Sequence, residues 1–121
     1  MSYNCDRWIT KKIKDFKIPI MSLFKHERDD WHPERIDNND GTVTFEIIET
    51  ELRGNIENGW LVVSSIDCSG EGSGIAMDWI LEPAFQNSTG ELVASCVWEG
   101  GDTINKLTVK DGKVSWVDID I

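Results

Sequence analysis

The sequence predicts an α+β domain in which an N-terminal helix packs on an antiparallel β-meander of about five to six strands. Residues 4–17 place apolar side chains at helical spacing, and residues from 42 onward form short alternating apolar runs. Tight-turn dipeptides separate those runs, which leaves no room for the crossover helices of a parallel sheet. A sheet curled toward a small barrel or sandwich is the alternative. The 121 residues suit a single domain, 1–121.

The predicted helix covers residues 4–17, where Trp8, Ile9, Ile13 and Phe16 fall near one helical face. It is expected to end before Pro19, because the residue that precedes a proline disfavours the helical region. The apolar stretch 17–24 is expected to lie on the core, with an edge strand as one option. The polar stretch 25–41 is then expected to be a long loop, with a short helical turn at its Pro33.

The second part of the chain predicts strands joined by tight turns. The segment 59–68 is apolar at both parities, which is typical of a central strand buried on two sides. The expected strands are 42–53, 59–68, 75–82, 91–99, 103–109 and 113–121. The expected turns are Asn58-Gly59, 88–90, 100–102 and Asp111-Gly112. Asn-Gly and Asp-Gly are strong hairpin signals because both residues tolerate positive φ.

The charge of the chain limits the partners it can have. The formal net charge is −10, of which residues 1–35 contribute +2 (eight Lys/Arg, six Asp/Glu) and residues 36–121 contribute −12 (four Lys/Arg, sixteen Asp/Glu). A body this acidic repels phosphates, so we expect no nucleic acid partner, and it attracts a basic protein. No run approaches the roughly 20 apolar residues of a membrane span, and the N-terminus has no secretory pattern. These features predict a protein that has no membrane partner and that is cytoplasmic, with a protein whose secretory signal has been removed as the alternative.

No motif in the sequence indicates a cofactor, a metal or a catalytic group. The glycines of "CSGEGSG" (68–74) have the wrong spacing for a dinucleotide loop, and Glu71 would repel phosphate, so a flexible hairpin loop is expected. His26 and His32 are six residues apart, which does not suit a helical metal site. The three cysteines form no C-x-x-C pair, which argues against a zinc ribbon or a disulfide framework.

Tryptophan is over-represented, with six residues in the chain. Two of them lie beside carboxylates in the predicted strands, Trp79 next to Asp78 and Trp98 next to Glu99. Aromatic anchors ringed by acidic groups suit the docking of a basic protein. In the last strand, Trp116 shares a predicted outward face with Asp118 and Asp120. The residues predicted to bind a partner are Asp78, Trp79, Glu82, Trp98, Glu99, Trp116, Asp118 and Asp120.

In overall character the chain resembles the small acidic immunity proteins of bacterial contact-dependent or polymorphic toxin systems. The resemblance covers the whole chain as a type, without a matching motif, so no site residue is carried over. It implies a non-enzymatic protein that neutralises a cognate, often basic and nuclease-type, toxin domain by covering or blocking its active cleft. The alternatives are a carbohydrate- or small-ligand-binding β module that uses exposed tryptophans, and a small metal-dependent enzyme built on residues 25–41.

Overall fold

The computed structural model of the chain describes residues 7–25, 32–68, 80–97 and 103–120. These residues form eight strands and two short helices. The strands are β1 (Arg7–Pro19), β2 (Glu34–Asp37), β3 (Val43–Ile47), β4 (Thr50–Glu57), β5 (Trp60–Cys68), β6 (Thr89–Val97), β7 (Thr103–Lys110) and β8 (Lys113–Asp120). The helices are α1 (Ile20–Phe24) and α2 (Glu82–Phe85). Neither helix is long and apolar enough to cross a membrane, and the described residues contain no other candidate.

All eight strands belong to one antiparallel sheet with the order β2-β3-β4-β5-β1-β6-β7-β8. The first described strand, β1, lies in the middle of the sheet. The next strand, β2, forms one edge, and β3, β4 and β5 return strand by strand until β5 pairs with β1. The chain then continues on the other side of β1 through β6, β7 and β8. The sheet therefore has two halves, β2–β5 and β1 with β6–β8. The strands β2–β5 and β6–β8 pair in sequence order, and β1 joins the two sets by pairing with β5 and β6.

The predicted α+β class, with an N-terminal helix on five to six strands, is wrong, because residues 7–19 form the long central strand β1. Two one-residue bulges, between Thr10 and Lys12 and between Lys14 and Lys17, interrupt its pairing with β6. Each bulge shifts the alternation by one residue, so the inward positions become 10, 13, 16 and 18. Spacings of three residues produced by bulges imitate one face of a helix.

Near the first bulge, the Thr10 side chain links β1 to β5. Its hydroxyl donates to the Ile66 carbonyl at 3.1 Å and accepts from the Ile66 N–H at 3.4 Å. A single side chain thereby satisfies two backbone groups of β5.

The predicted hairpin turns at Asn58-Gly59 and Asp111-Gly112 are confirmed, and all four residues have positive φ. The expected strand 42–53 is instead two strands, β3 and β4, joined by Ile48 and Glu49. These two residues also have positive φ, 40° and 59°, although neither is a usual turn residue. Two other segments also differ, since residues 34–37 form β2 within the expected loop, and residues 20–24 form α1.

One face of the sheet carries the hydrophobic core. Its largest buried side chains include Phe16, Phe45 and Phe85, each at most 1% exposed. The two helices lie on this face, where Phe85 of α2 meets Phe16 with ring centroids 5.6 Å apart, and Phe24 of α1 meets Phe45 at 6.0 Å. The opposite face, called the outer face below, carries most of the charged strand residues.

The strand β5 lies inside the sheet as predicted, between β4 and β1. Its burial is one-sided, however, because Leu61, Val63 and Ile66 are buried while Ser64 and Asp67 are exposed. The apolar pattern at both parities arises from a bulge between β4 and β5 and from half-buried residues on the outer face.

Candidate functional site

The structure places the predicted partner-binding residues in three different situations. Four of them lie outside the described residues, namely Asp78, Trp79, Trp98 and Glu99. Asp118 and Asp120 occupy described backbone positions in β8, paired with Asn105 and Thr103, and their side chains are outside the described part. Glu82 and Trp116 are described in full. Partner binding by this set stays a prediction.

Trp116 does not belong to an outward-facing row. It pairs with the buried Leu107 of β7 and packs, half-buried, against the core together with Val114. The outward residues of this part of β8 are Ser115 and Val117, the latter 54% exposed. The sequence predicts that Trp116 faces outward and Ser115 and Val117 face inward, and the structure shows the reverse. The cause is the register with β7, which sets Val114 and Trp116 opposite the buried Val109 and Leu107.

Glu82 is the first residue of helix α2, where it is half-buried, and not the end of a strand as the sequence predicts. Pro83 follows it in the first turn, a position that suits proline because no intrahelical N–H is needed there. A carboxylate at the start of a helix complements the partial positive charge of the free N–H groups. The interaction of Glu82 with the start of its own helix explains a carboxylate at this position without a binding partner.

The structure reveals a different cluster of carboxylates, which runs straight across the β2–β5 half. Glu34 of β2 pairs with Glu46 of β3, Glu46 pairs with Glu51 of β4, and Glu51 pairs with Asp67 of β5. Directly opposed residues point to the same side of a sheet, so all four side chains stand on the outer face. With strands about 4.8 Å apart, this acidic row is about 15 Å long.

The acidic row is accessible and is not neutralised by a cation of the described chain. Glu34, Glu51 and Asp67 are exposed, and Glu46 is half-buried. The three ion pairs among the described residues are Lys12–Glu91, Arg35–Asp37 and Arg53–Asp40, none of which includes a member of the row. Like charges directly opposed across strands are destabilising, so the row concentrates negative potential at a cost to stability.

Arg53, the nearest cation in the next cross-strand row, is committed to the β2–β3 turn. Its guanidinium binds the Asp40 carboxylate and donates to the Thr42 hydroxyl at 3.1 Å. The Thr42 hydroxyl and backbone N–H also donate to Asp40, and together with Arg53 they lower the pKa of Asp40 to about 2. This network fixes the turn beside the acidic row and keeps Arg53 from cancelling it.

The corresponding row of the other half has a different pattern. Lys14 of β1 pairs with Glu91 of β6, Glu91 with Lys110 of β7, and Lys110 with Lys113 of β8. In this mixed row the one carboxylate stands between lysines, and Lys12 also approaches it at 3.3 Å. The outer face therefore has an acidic half and a basic half, in a chain whose net charge is −10.

Three clefts adjoin the sheet, the smallest of them, of about 360 Å³, at the β2–β3 turn. Half-buried Trp60 borders a cleft of about 540 Å³ with Glu57 and Asn58, and the Lys17 ammonium lies 4.9 Å from the centre of its ring. A second, more apolar cleft of about 630 Å³ lies against α1, between Pro19, Phe24 and Asn87. Among the described residues, no group of three or more His, Cys, Asp or Glu side chains is placed to hold a metal ion.

Sequence reasoning missed the acidic row because it depends on pairing between strands. Its four members come from four strands, and the sequence predicts neither β2 nor β3 with its correct bounds. One pair of the row is joined by a short turn: the two-residue turn at Ile48-Glu49 places Glu46 opposite Glu51. A prediction of that turn from the sequence would have indicated this pair, and the other pairs have no such local signal. Comparison of the chain with protein families, curated proteins and solved structures finds no match.

Proposed function

We propose that this protein is a non-enzymatic, acidic protein-binding domain of the immunity or inhibitor type, which neutralises a basic toxin domain in the cytoplasm. The observation that carries the proposal is the acidic row, Glu34, Glu46, Glu51 and Asp67, on the exposed outer face. A basic partner relieves the mutual repulsion of these carboxylates when it binds, which favours a partner of opposite charge.

The dimensions of the row favour a protein partner over a small ligand. Four carboxylates spread over about 15 Å match a strip of several Lys or Arg side chains, and not a single ion or metabolite. The adjacent Ile36, which is 39% exposed, adds an apolar contact on the same face. A nucleic-acid-binding cleft of a nuclease presents such a basic strip, so blocking it needs no catalytic group.

The test uses the product of the reading frame adjacent to this gene as the candidate toxin domain. We expect a complex in gel filtration, and calorimetry should show that Glu46→Gln/Glu51→Gln lowers the affinity by about 10- to 100-fold, as for close charge pairs at other interfaces. The matched control, Asp15→Asn/Glu57→Gln, removes the same number of carboxylates from outside the row, and both of these are exposed. It should change the affinity less than threefold.

Equal losses in the two double variants would show that only net charge matters and would overturn the assignment of the row. Absence of any complex at about 10 µM, a concentration at which a typical specific interface is formed, would count against the immunity function itself. The two outcomes separate the role of the row from the role of the protein.

A second candidate function, carbohydrate binding, is favoured by one observation, the half-buried Trp60 at the border of a cleft. An indole face beside polar groups can stack on a sugar ring. Lys17 lies over that ring, so a sugar must displace its ammonium. Titration with a glycan panel should then change tryptophan fluorescence in the native protein and not in Trp60→Leu, and an unchanged signal throughout would remove this candidate.

A further inference from the structure

The strand β2 leaves a hydrogen-bonding edge open at one end of the described sheet. The Asn38 N–H donates to the Thr42 carbonyl at 2.9 Å, and this pair is in the same register as the β2–β3 ladder. Hydrogen-bonded pairs alternate along an antiparallel ladder, so residues 34 and 36 face β3 with their backbone groups. The N–H and C=O groups of Arg35 and Asp37 consequently point away from β3, toward the edge.

The side chains of this edge are exposed and carry complementary charges. Arg35 and Asp37 form an ion pair at 3.1 Å, with side chains 54% and 73% exposed. Ile36, between them, stands on the outer face and is one of three large hydrophobic residues that are notably exposed among the described ones. Natural edges are usually protected by charge, and this edge combines its charges with an exposed isoleucine.

We propose that the β2 edge binds a second copy of this chain, with two β2 strands paired antiparallel about a two-fold axis that passes beside Ile36. In this register Arg35 lies opposite Asp37 of the second copy, and Asp37 lies opposite its Arg35. The backbone groups that point outward are those of the residues that must exchange hydrogen bonds in such a pair. Each Ile36 then contacts the other across the axis.

The same register keeps the two acidic rows apart. Glu34 lies opposite Asn38 of the second copy, so the two Glu34 residues are four residues apart along the strands, about 13 Å. The four charges of the Arg35–Asp37 pairs alternate in sign, whereas a parallel arrangement would place like charges beside each other. Charge complementarity at the edge therefore selects the antiparallel two-fold pair.

We expect the association to be weak and dependent on concentration. Two four-residue strands bury less than the roughly 1,200 Å² of a standard stable interface. The net charge of −10 on each copy adds long-range repulsion, which salt screens. Sedimentation velocity in 0.15 M NaCl should show a weight-average mass that rises between about 10 µM and about 1 mM protein.

Two charge variants test the register directly. Arg35→Asp and Asp37→Arg each place four like charges at the edge, so each variant alone should associate at least about tenfold more weakly than the native protein. An equimolar mixture should restore association, because the two cationic side chains at the edge of one variant then face the two carboxylates at the edge of the other. Both variants lose only an exposed ion pair, which contributes about 0–1 kcal/mol, and are expected to fold.

The Asp37→Arg variant separates local complementarity from overall repulsion. It moves the formal net charge two units toward zero from −10, so overall repulsion alone predicts stronger association, whereas the proposed register predicts weaker association.

Amide hydrogen exchange gives a second readout. The N–H groups at positions 35 and 37 should exchange more slowly at about 1 mM than at about 10 µM protein, in the native chain and in the mixture.

Three results would overturn the proposal. The first is a native protein that stays monomeric at about 1 mM. The second is association of the single variants at native strength, which would place the contact elsewhere, for example at the β8 edge. The third is a mixture of folded variants that does not associate. Because the variants leave the acidic row intact, binding of the candidate toxin domain reports separately on the proposed function.

Discussion

The two halves of the sheet each contain four antiparallel strands but distribute charge on the outer face in different ways. In the β1/β6–β8 half, the mixed row sets its one carboxylate, Glu91, between Lys14 and Lys110, and only the last pair, Lys110 and Lys113, opposes like charges. In the β2–β5 half, the acidic row sets four carboxylates side by side. The first arrangement stabilises its own strands, whereas the second opposes pairing and gains favourable contacts only from an external cation.

The halves also differ in how closely their turns pack. The β7–β8 turn is fastened to the start of β6, where the Asp111 N–H donates to the Gly90 carbonyl at 2.9 Å and the Gly90 N–H donates to the Asp111 carboxylate at 3.0 Å. Gly90 in turn lies against the β1 bulge at Asp15, which has a φ of 50°. The β4–β5 turn at Gly59 has free space around it. The β7–β8 turn is thus held more closely by its neighbours than the β4–β5 turn.

The largest effect that we expect from this comparison is the loss of stability in Gly90→Ala. A Cβ at Gly90 would lie 2.1 Å from the Asp15 carbonyl oxygen, at a φ of 84°. The Asp15 carbonyl belongs to the backbone, and the position of the added Cβ is fixed by the backbone of residue 90, so neither atom can move aside. We therefore expect the free energy of unfolding, measured in urea, to fall by at least about 3 kcal/mol.

The matched control for Gly90→Ala is Gly59→Ala in the β2–β5 half. Gly59 has nearly the same φ, 82°, but no atom within 4 Å of the added Cβ. The control should lose only about 1 kcal/mol, the cost of a left-handed conformation. Equal losses of stability in Gly90→Ala and Gly59→Ala would mean that the positive φ alone accounts for the loss, and that the close packing at Gly90 adds nothing to it.

The next largest effect is a change in the free energy of unfolding, which should have opposite signs when a carboxylate is removed from the acidic row and from the mixed row. Glu46→Gln removes one charge from between Glu34 and Glu51, and should stabilise the protein by about 0.2–1 kcal/mol at low salt. Glu91→Gln removes the carboxylate that lies between lysines, 3.3 Å from Lys12, and should destabilise it by a similar amount. Both changes are isosteric, and both should shrink in about 0.5 M NaCl. Changes of the same sign in urea unfolding would contradict the contrast between the rows.

Features that depend on local chemistry could be predicted correctly from the sequence. Antiparallel strands after residue 42 follow from alternation, and the Asn58-Gly59 and Asp111-Gly112 turns follow from residues that tolerate positive φ. The Ile48-Glu49 turn has no such residues, so its position is set by pairing between β3 and β4 and not by turn propensity. Joining the two strands in one prediction also hid the opposition of Glu46 and Glu51.

Strand β1 shows why the helix predicted from periodicity at residues 4–17 is wrong, since bulges in a strand can produce helical spacing. Thr10, Ile13, Phe16 and Ile18 lie on the core side because two extra residues reset the alternation, and a run of exposed lysines completes the similarity to an amphipathic helix. Bulges depend on the neighbouring strand, which single-sequence periodicity does not contain. The acidic row has the same origin, since it exists only in the registers of three strand pairs.

The smallest effect concerns the ion pair between Arg53 of β4 and Asp40 of the β2–β3 turn, which compensates charge locally in the β2–β5 half. Hydrogen bonds from Thr42, with Arg53 beside them, lower the pKa of Asp40 from 3.8 to about 2. A lowered pKa in the folded state stabilises the protein above about pH 4, and this contribution is lost as the pH falls through about 2. The difference in unfolding free energy between the native protein and Asp40→Asn should therefore be constant above about pH 4 and shrink below it.

Carboxyl NMR can follow the same group directly in the folded protein. The Asp40 resonance should titrate with a midpoint of about 2 in the native chain, and Thr42→Val should move that midpoint upward, because the hydroxyl of Thr42 is the largest cause of the lowered pKa. If Asp40 instead titrates near 3.8, Arg53 is free to turn toward Glu46 or Glu51. The acidic row would then be partly neutralised, and Glu46→Gln should lose its stabilising effect.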